Sequence, residues 1–108
     1  MPASSSAGDG LEAEGEKYLY GSGVPANCDR ARKDLIDAAA QSNEKAQSVL
    51  ATMYATGHCV SRDSALAYRW FAKALHQDPS NARLKRDLEV LWNQMSPDER
   101  QMAMRSEQ

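Results

Sequence analysis

From Ala46 onward the hydrophobic residues fall at Ala46, Val49, Leu50, Met53 and Tyr54, and the stripe stops at Gly57. Steps of three and four put these side chains on one face of an α-helix, and a glycine suits the left-handed backbone that closes it. Ser61 reads as the cap of a second helix, which carries Ala65, Leu66, Ala67, Trp70, Phe71, Ala74 and Leu75. That face is too wide for a helix with one buried side, so this helix is expected to pack between two neighbours. Asp78-Pro79 ends it, and Pro79 also suits the first turn of a following helix. A third stretch aligns Leu84, Leu88, Leu91, Trp92 and Met95 on one face. Ser96-Pro97-Asp98-Glu99 then reads as a capping box opening a short last helix that carries Met102. No alternating strand pattern occurs, so the expected class is all-α.

The residues before Ala46 repeat this pattern. Tyr18 aligns with Tyr54, Gly21 with Gly57, Val24 with Val60, Ala31 with Ala67, Ala38 with Ala74 and Ala46 with Ala82, each pair 36 apart. Composition could align alanines by chance, but tyrosine, glycine and valine sharing one ungapped offset mark an internal repeat. The first copy is weaker. Leu11, Gly15, Tyr18 and Leu19 form its first helix, Gly21 to Pro25 its turn, and Asn27 caps a helix with Ala31, Leu35, Ala38 and Ala39. Gly10 and Glu14 stand where Ala46 and Leu50 stand in the second copy, so the entry helix is expected to fray at its start. The chain thus divides into a flexible tail over residues 1–10 and a single domain over 11–108. Within the domain the repeats cover about 11–42 and 43–78, and capping helices cover about 79–106.

The unit Tyr-x-x-Gly-x-Gly-Val-x-x-Asn/Asp-x-x-x-Ala, followed by paired alanines, resembles the Sel-one-like repeat, a relative of the tetratricopeptide repeat. Tyr18, Gly21, Gly23, Val24, Asn27, Ala31, Ala38 and Ala39 carry the resemblance in the first copy. Tyr54, Gly57, Val60, Asp63, Ala67, Trp70, Ala74 and Leu75 carry it in the second. The resemblance implies an α-α superhelix, a solenoid of two helix-pair repeats closed by a C-terminal capping pair. It implies a concave side that docks proteins or peptides, as an adaptor would. Two departures matter. Asp34 replaces the tryptophan seen at Trp70, so the first repeat buries less apolar area, and Cys59 replaces the second turn glycine held by Gly23.

Cys28 and Cys59 are the chain's two cysteines. Neighbouring repeats stack about 10 Å apart, which lets residues on the same edge approach to the separation a disulfide needs. A Cys28–Cys59 bridge between the weak first repeat and the strong second is therefore expected, against the alternative of two free thiols filling small gaps. The bridge favours a bacterial periplasm or cell envelope, free thiols a cytosolic regulatory or chaperone-like subunit. His58 beside Cys59 and Cys28 gives three metal-ligand types, but paired zinc spacing and a fourth ligand are missing, so no metal is expected. His76 near a helix end is expected to favour the negative pole.

With Ala51 as the close-contact position between paired helices, groove positions fall at Lys45, Ser48, Thr52 and Ala55. Stepping back 36 gives Asp9, Glu12, Glu16 and Leu19; stepping forward gives Asn81, Leu84, Leu88 and Leu91. The expected partner-binding residues are Glu12, Glu16, Lys45, Ser48 and Thr52, a small, polar groove that is acidic at its first repeat. A solvated helix face would carry the same residues. The forward positions are too apolar to face water, and the last helix with Met102 is expected to fold over them.

Charge and motifs narrow the function. A formal net charge of −2 supplies no basic field for nucleic acid, although Arg83, Lys85 and Arg86 make a local cluster that an acidic partner could use. Hydrophobic residues at 42% and charged residues at 26% are an ordinary soluble balance. No apolar run approaches the roughly 20 residues of a membrane span, and MPASSSAGDG lacks the parts of a signal peptide. No phosphate-cradling glycine loop, nucleophile elbow or His-Glu-x-x-His occurs. The expectation is a non-enzymatic, monomeric module with a protein or peptide partner, no cofactor and no nucleic acid.

Overall fold

The computed structural model describes residues 7–105. These form six α-helices and no strand: α1 Asp9–Tyr20, α2 Cys28–Ala40, α3 Glu44–Thr56, α4 Ser64–Gln77, α5 Ala82–Gln94 and α6 Pro97–Met104. Of the tail expected over residues 1–10, residues 1–6 lie outside the described residues, while Asp9 and Gly10 belong to α1.

The repeat is visible in the backbone of the two turns. Gly21 closes α1 at φ 68° and Gly57 closes α3 at φ 76°, both left-handed. Two residues on, Gly23 and Cys59 adopt φ 79° and 66°. Each turn then ends with the same hydrogen bond, Asn27 N–H to Tyr18 O at 2.9 Å and Asp63 N–H to Tyr54 O at 2.8 Å. Tyr18 and Tyr54 are both half-buried. Asn27 and Asp63 next cap α2 and α4, their side chains accepting from Arg30 N–H and Leu66 N–H. The cap of α4 is thus Asp63 and not Ser61, because Ser61 is still inside the turn that the tyrosine carbonyl closes.

The helices pair as α1 with α2 and α3 with α4, and α2 packs against α3 to stack one pair on the other. Two clusters of buried side chains result. Leu19, Ala31, Leu35, Ala38, Ala46, Leu50 and Met53 fill the first repeat and its junction. Ala51, Ala67, Phe71, Ala74, Leu84, Leu91 and Met95 fill the second repeat and the cap. Tyr54 and Trp70 touch both. α4 lies between α3 on one side and α5 and α6 on the other, which accounts for its wide apolar face.

The third unit departs from the 36-residue spacing. Asn43 caps α3 and Asn81 caps α5, a step of 38, because α4 is one residue longer than α2 and the link Asp78, Pro79 and Ser80 is one residue longer than Gln41 and Ser42. Pro79 therefore precedes α5 and does not sit in its first turn. With that step Ala46 corresponds to Leu84 and Met53 to Leu91, all four buried. The Ser96–Glu99 capping box opens α6 as expected, with Pro97 at its start. Met102, however, is 48% exposed, and Ala103 is the residue of α6 that enters the core. α6 packs against α4, held by Arg69 Nη1 donating to Met102 O at 3.0 Å, and is tied to α5 by Arg100 Nε donating to Trp92 O at 2.9 Å.

Candidate functional site

The inner helices α1, α3 and α5 border a groove with a cavity of about 410 Å³, floored by Phe71 of α4. Glu16 and Tyr20 line it from α1, Lys45, Ser48 and Thr52 from α3, and Arg83 and Asp87 from α5. A second hollow of about 370 Å³ continues past Thr52 and Ala55 to Arg86 and Val90. The groove carries charges of both signs, with Asp87 beside the arginines of α5. Glu16 and Lys45 pair at 3.5 Å on one side, and two arginines stand on the other.

Four of the five expected groove residues, Glu16, Lys45, Ser48 and Thr52, come together here. Glu12 does not join them. Glu12, Gly15 and Leu19, spaced three and four apart, form the buried face of α1, leaving Glu16 and Tyr20 to face the groove. Leu84 and Leu91 are buried yet border the hollows, Leu84 with Asn81, Arg83 and Asp87 in the first and Leu91 with Arg86, Asp87 and Val90 in the second. The 36-residue step reached Asn81, Leu84 and Leu91 but missed the arginines, whereas the Asn43–Asn81 cap spacing places Arg83 and Arg86 opposite Lys45 and Ser48. Lys85 turns away, into a shallow cleft with Tyr68, Leu88 and Trp92.

Glu12 is a buried carboxylate whose Oε2 has no hydrogen-bond partner. Burial, reinforced by neighbouring Glu16, raises its pKa from the usual 4.5 to about 7, against the opposing pull of Lys45. Burial likewise raises Asp34, aided by Glu14 and opposed by Arg30. Between pH 4.5 and about 7 the folded chain keeps a proton on Glu12 that the unfolded chain releases. Its contribution is therefore fully present below pH 4.5 and is lost as pH rises through 7. Glu12→Gln should consequently stabilise the protein at pH 8 by on the order of 1 to 3 kcal/mol and change little at pH 4.5. Urea midpoints of both proteins at the two pH values check this; equal differences at both would contradict it.

Cys28 and Cys59 are joined by a disulfide, their Cα atoms 5.2 Å apart. It runs from the first turn of α2 to the α3–α4 turn, and Arg32 Nη1 adds a hydrogen bond to Cys59 O at 3.0 Å. The position of Gly23 is thus taken in the second repeat by a cysteine in a glycine-like conformation, fixed by a covalent tie to the first. His58 lies beside Tyr20, ring centroids 6.1 Å apart and tilted by 51°, and His76 lies in the last turn of α4. Among the described residues no group of three or more His, Cys, Asp and Glu side chains is arranged to hold a metal ion. No described helix is long and apolar enough to cross a membrane.

Stacked antiparallel helix pairs with left-handed turns at matching positions define a helical repeat solenoid. The Sel1 repeat family model matches residues 15–43 and 44–79, more than half of the chain, and the protein belongs to that family. Comparisons with curated proteins and with solved structures gave no match. Sel1 repeats generally mediate protein–protein interaction and are generally non-enzymatic modules.

Proposed function

We propose that this protein is a non-enzymatic adaptor that holds a protein or peptide segment in the concave groove of α1, α3 and α5, acting as a monomer and without cofactor or nucleic acid. The observation that carries the reading is the groove itself, where small polar side chains at Ser48 and Thr52 leave room between Glu16 and Lys45 on one side and Arg83 and Arg86 on the other. An extended segment can lie between these walls and present charges of either sign to matching ends. The Cys28–Cys59 bridge supports placement in an oxidising compartment such as a bacterial envelope.

Selection of peptides from a displayed library on the folded, oxidised protein tests the reading. Selected peptides should lose roughly tenfold or more in affinity for Ser48→Arg, whose longer side chain fills the groove. Peptides that bind this variant and the parent equally would place the partner site elsewhere.

A further inference from the structure

The register between α3 and α5 gives the concave groove a direction. The step of 38 between their caps sets Lys45 against Arg83, Ser48 against Arg86 and Thr52 against Val90. The valley between these two helices is therefore basic at its start and apolar further along. Thr52, Ala55, Val90 and the buried Phe71 and Leu91 line the second part, a hollow of about 370 Å³. Val90 is 50% exposed beside it.

The charges of the valley are unequally engaged. Lys45 pairs with Glu16 at 3.5 Å, and the Glu44 carboxylate accepts from the Ser48 hydroxyl at 3.4 Å. Arg83 and Arg86 are exposed and make no ion pair with any described residue. Asp87, half-buried on the same stripe, offsets one of the two charges, so the second hollow keeps an excess of positive charge. A guanidinium fork matches the two oxygens of a carboxylate. Arg86 and Arg83 precede Val90 by four and seven residues along α5. At the helical rise these spans are roughly 6 and 10 Å, which an extended peptide covers in about two and three residues.

We propose that the α3–α5 valley docks an extended acidic segment of a partner protein. Its carboxylates meet Arg83 and Arg86, and an aliphatic side chain two or three residues away seats against Ala55, Val90 and Leu91. The proposal rests on the concave groove being the docking site and adds the sequence character of what it holds. A basic segment is the poorer occupant, because it sets like charges against both arginines and gains only Asp87 on that wall.

The test titrates the oxidised protein with end-blocked synthetic peptides of about eight residues, followed by amide shifts. The first carries two adjacent glutamates with a leucine two residues beyond the second, made in both chain orders. In the second probe lysine replaces both glutamates, and in the third alanine replaces the leucine. One order of the acidic probe should bind roughly tenfold tighter than its lysine counterpart, a margin that shrinks with salt. Arg83→Glu with Arg86→Glu should reverse that preference, and Val90→Ser should narrow the advantage of leucine over alanine. Thr52→Trp, which fills the groove without adding charge, should weaken the acidic probe. Circular dichroism confirms that each variant is folded. Equal binding of acidic and lysine probes, no binding of either, no gain from the leucine, a preference that survives the arginine reversal, or a dimer in sedimentation that Val90→Glu dissociates would each overturn the proposal. A lysine probe bound as tightly as the acidic one, yet weakened by Thr52→Trp, would overturn it while leaving the groove as the docking site. Acidic probes that bind Thr52→Trp as tightly as the parent would overturn the groove reading as well.

Discussion

Replacing both bridge cysteines, as Cys28→Ser with Cys59→Ser, should lower the thermal midpoint by roughly 15 to 25 °C. The bridge spans a sequence separation of 31 residues. Loop-closure entropy for such a ring, the denatured-state account of disulfide stabilisation, amounts to about 3 to 4 kcal/mol. A domain of this size has only about 5 to 15 kcal/mol in total, so the loss is a large fraction. The first repeat has little to compensate with. Asp34 occupies the place of Trp70, and Glu14, paired to Arg30 at 2.5 Å, occupies the place of the fully buried Leu50. Cys59→Ser also leaves a side chain with a Cβ in the left-handed conformation of that turn position, at a cost of about 1 kcal/mol that the bridge no longer offsets. Calorimetry of the variant, and of the parent with excess reductant, should give the same downward shift. A change of less than about 5 °C in both would show that packing alone holds the two repeats together.

Gly15→Val should destabilise the protein by about 3 kcal/mol, through overpacking of the α1–α2 contact. A Cβ at Gly15 would lie 2.7 Å from Leu35 Cγ and 3.3 Å from Asp34 Cβ. Leu35 is fully buried and has nowhere to move. The gain in helix propensity on replacing a glycine, about 1 kcal/mol at most, does not offset this. Gly10 provides the comparison, since its Cβ would meet nothing within 4 Å; Gly10→Ala should be neutral or slightly stabilising. Amide exchange should show the damage confined to the first repeat, with α1 losing protection while α3 and α4 keep theirs. Uniform loss across all six helices would contradict a stack of separable units.

The turns were legible in the sequence because their backbone chemistry is local. Gly21 and Gly57 are needed where φ is positive, and Asn27 is needed where a helix must be capped; the same logic at 36 residues further on marks Asp63, which Ser61 obscured. The Cys28–Cys59 pairing followed from placing one cysteine beside each of two stacked turns. Less legible was the third unit, where one extra residue in α4 and one in the link to α5 shift the register by two and bring Arg83, Arg86 and Val90 to the groove beside Leu84 and Leu91. The burial of Glu12 could not be read from α1 alone. It depends on which face of that helix its neighbours cover, and its counterpart Ser48 borders open groove.

The concave site is tested most directly by amide chemical-shift mapping of the oxidised protein with a library-selected peptide. The account predicts that shifts concentrate at Glu16, Ser48, Thr52, Arg83 and Arg86, on the three inner helices. Shifts confined to α2, α4 and α6, with those five amides unmoved, would contradict it.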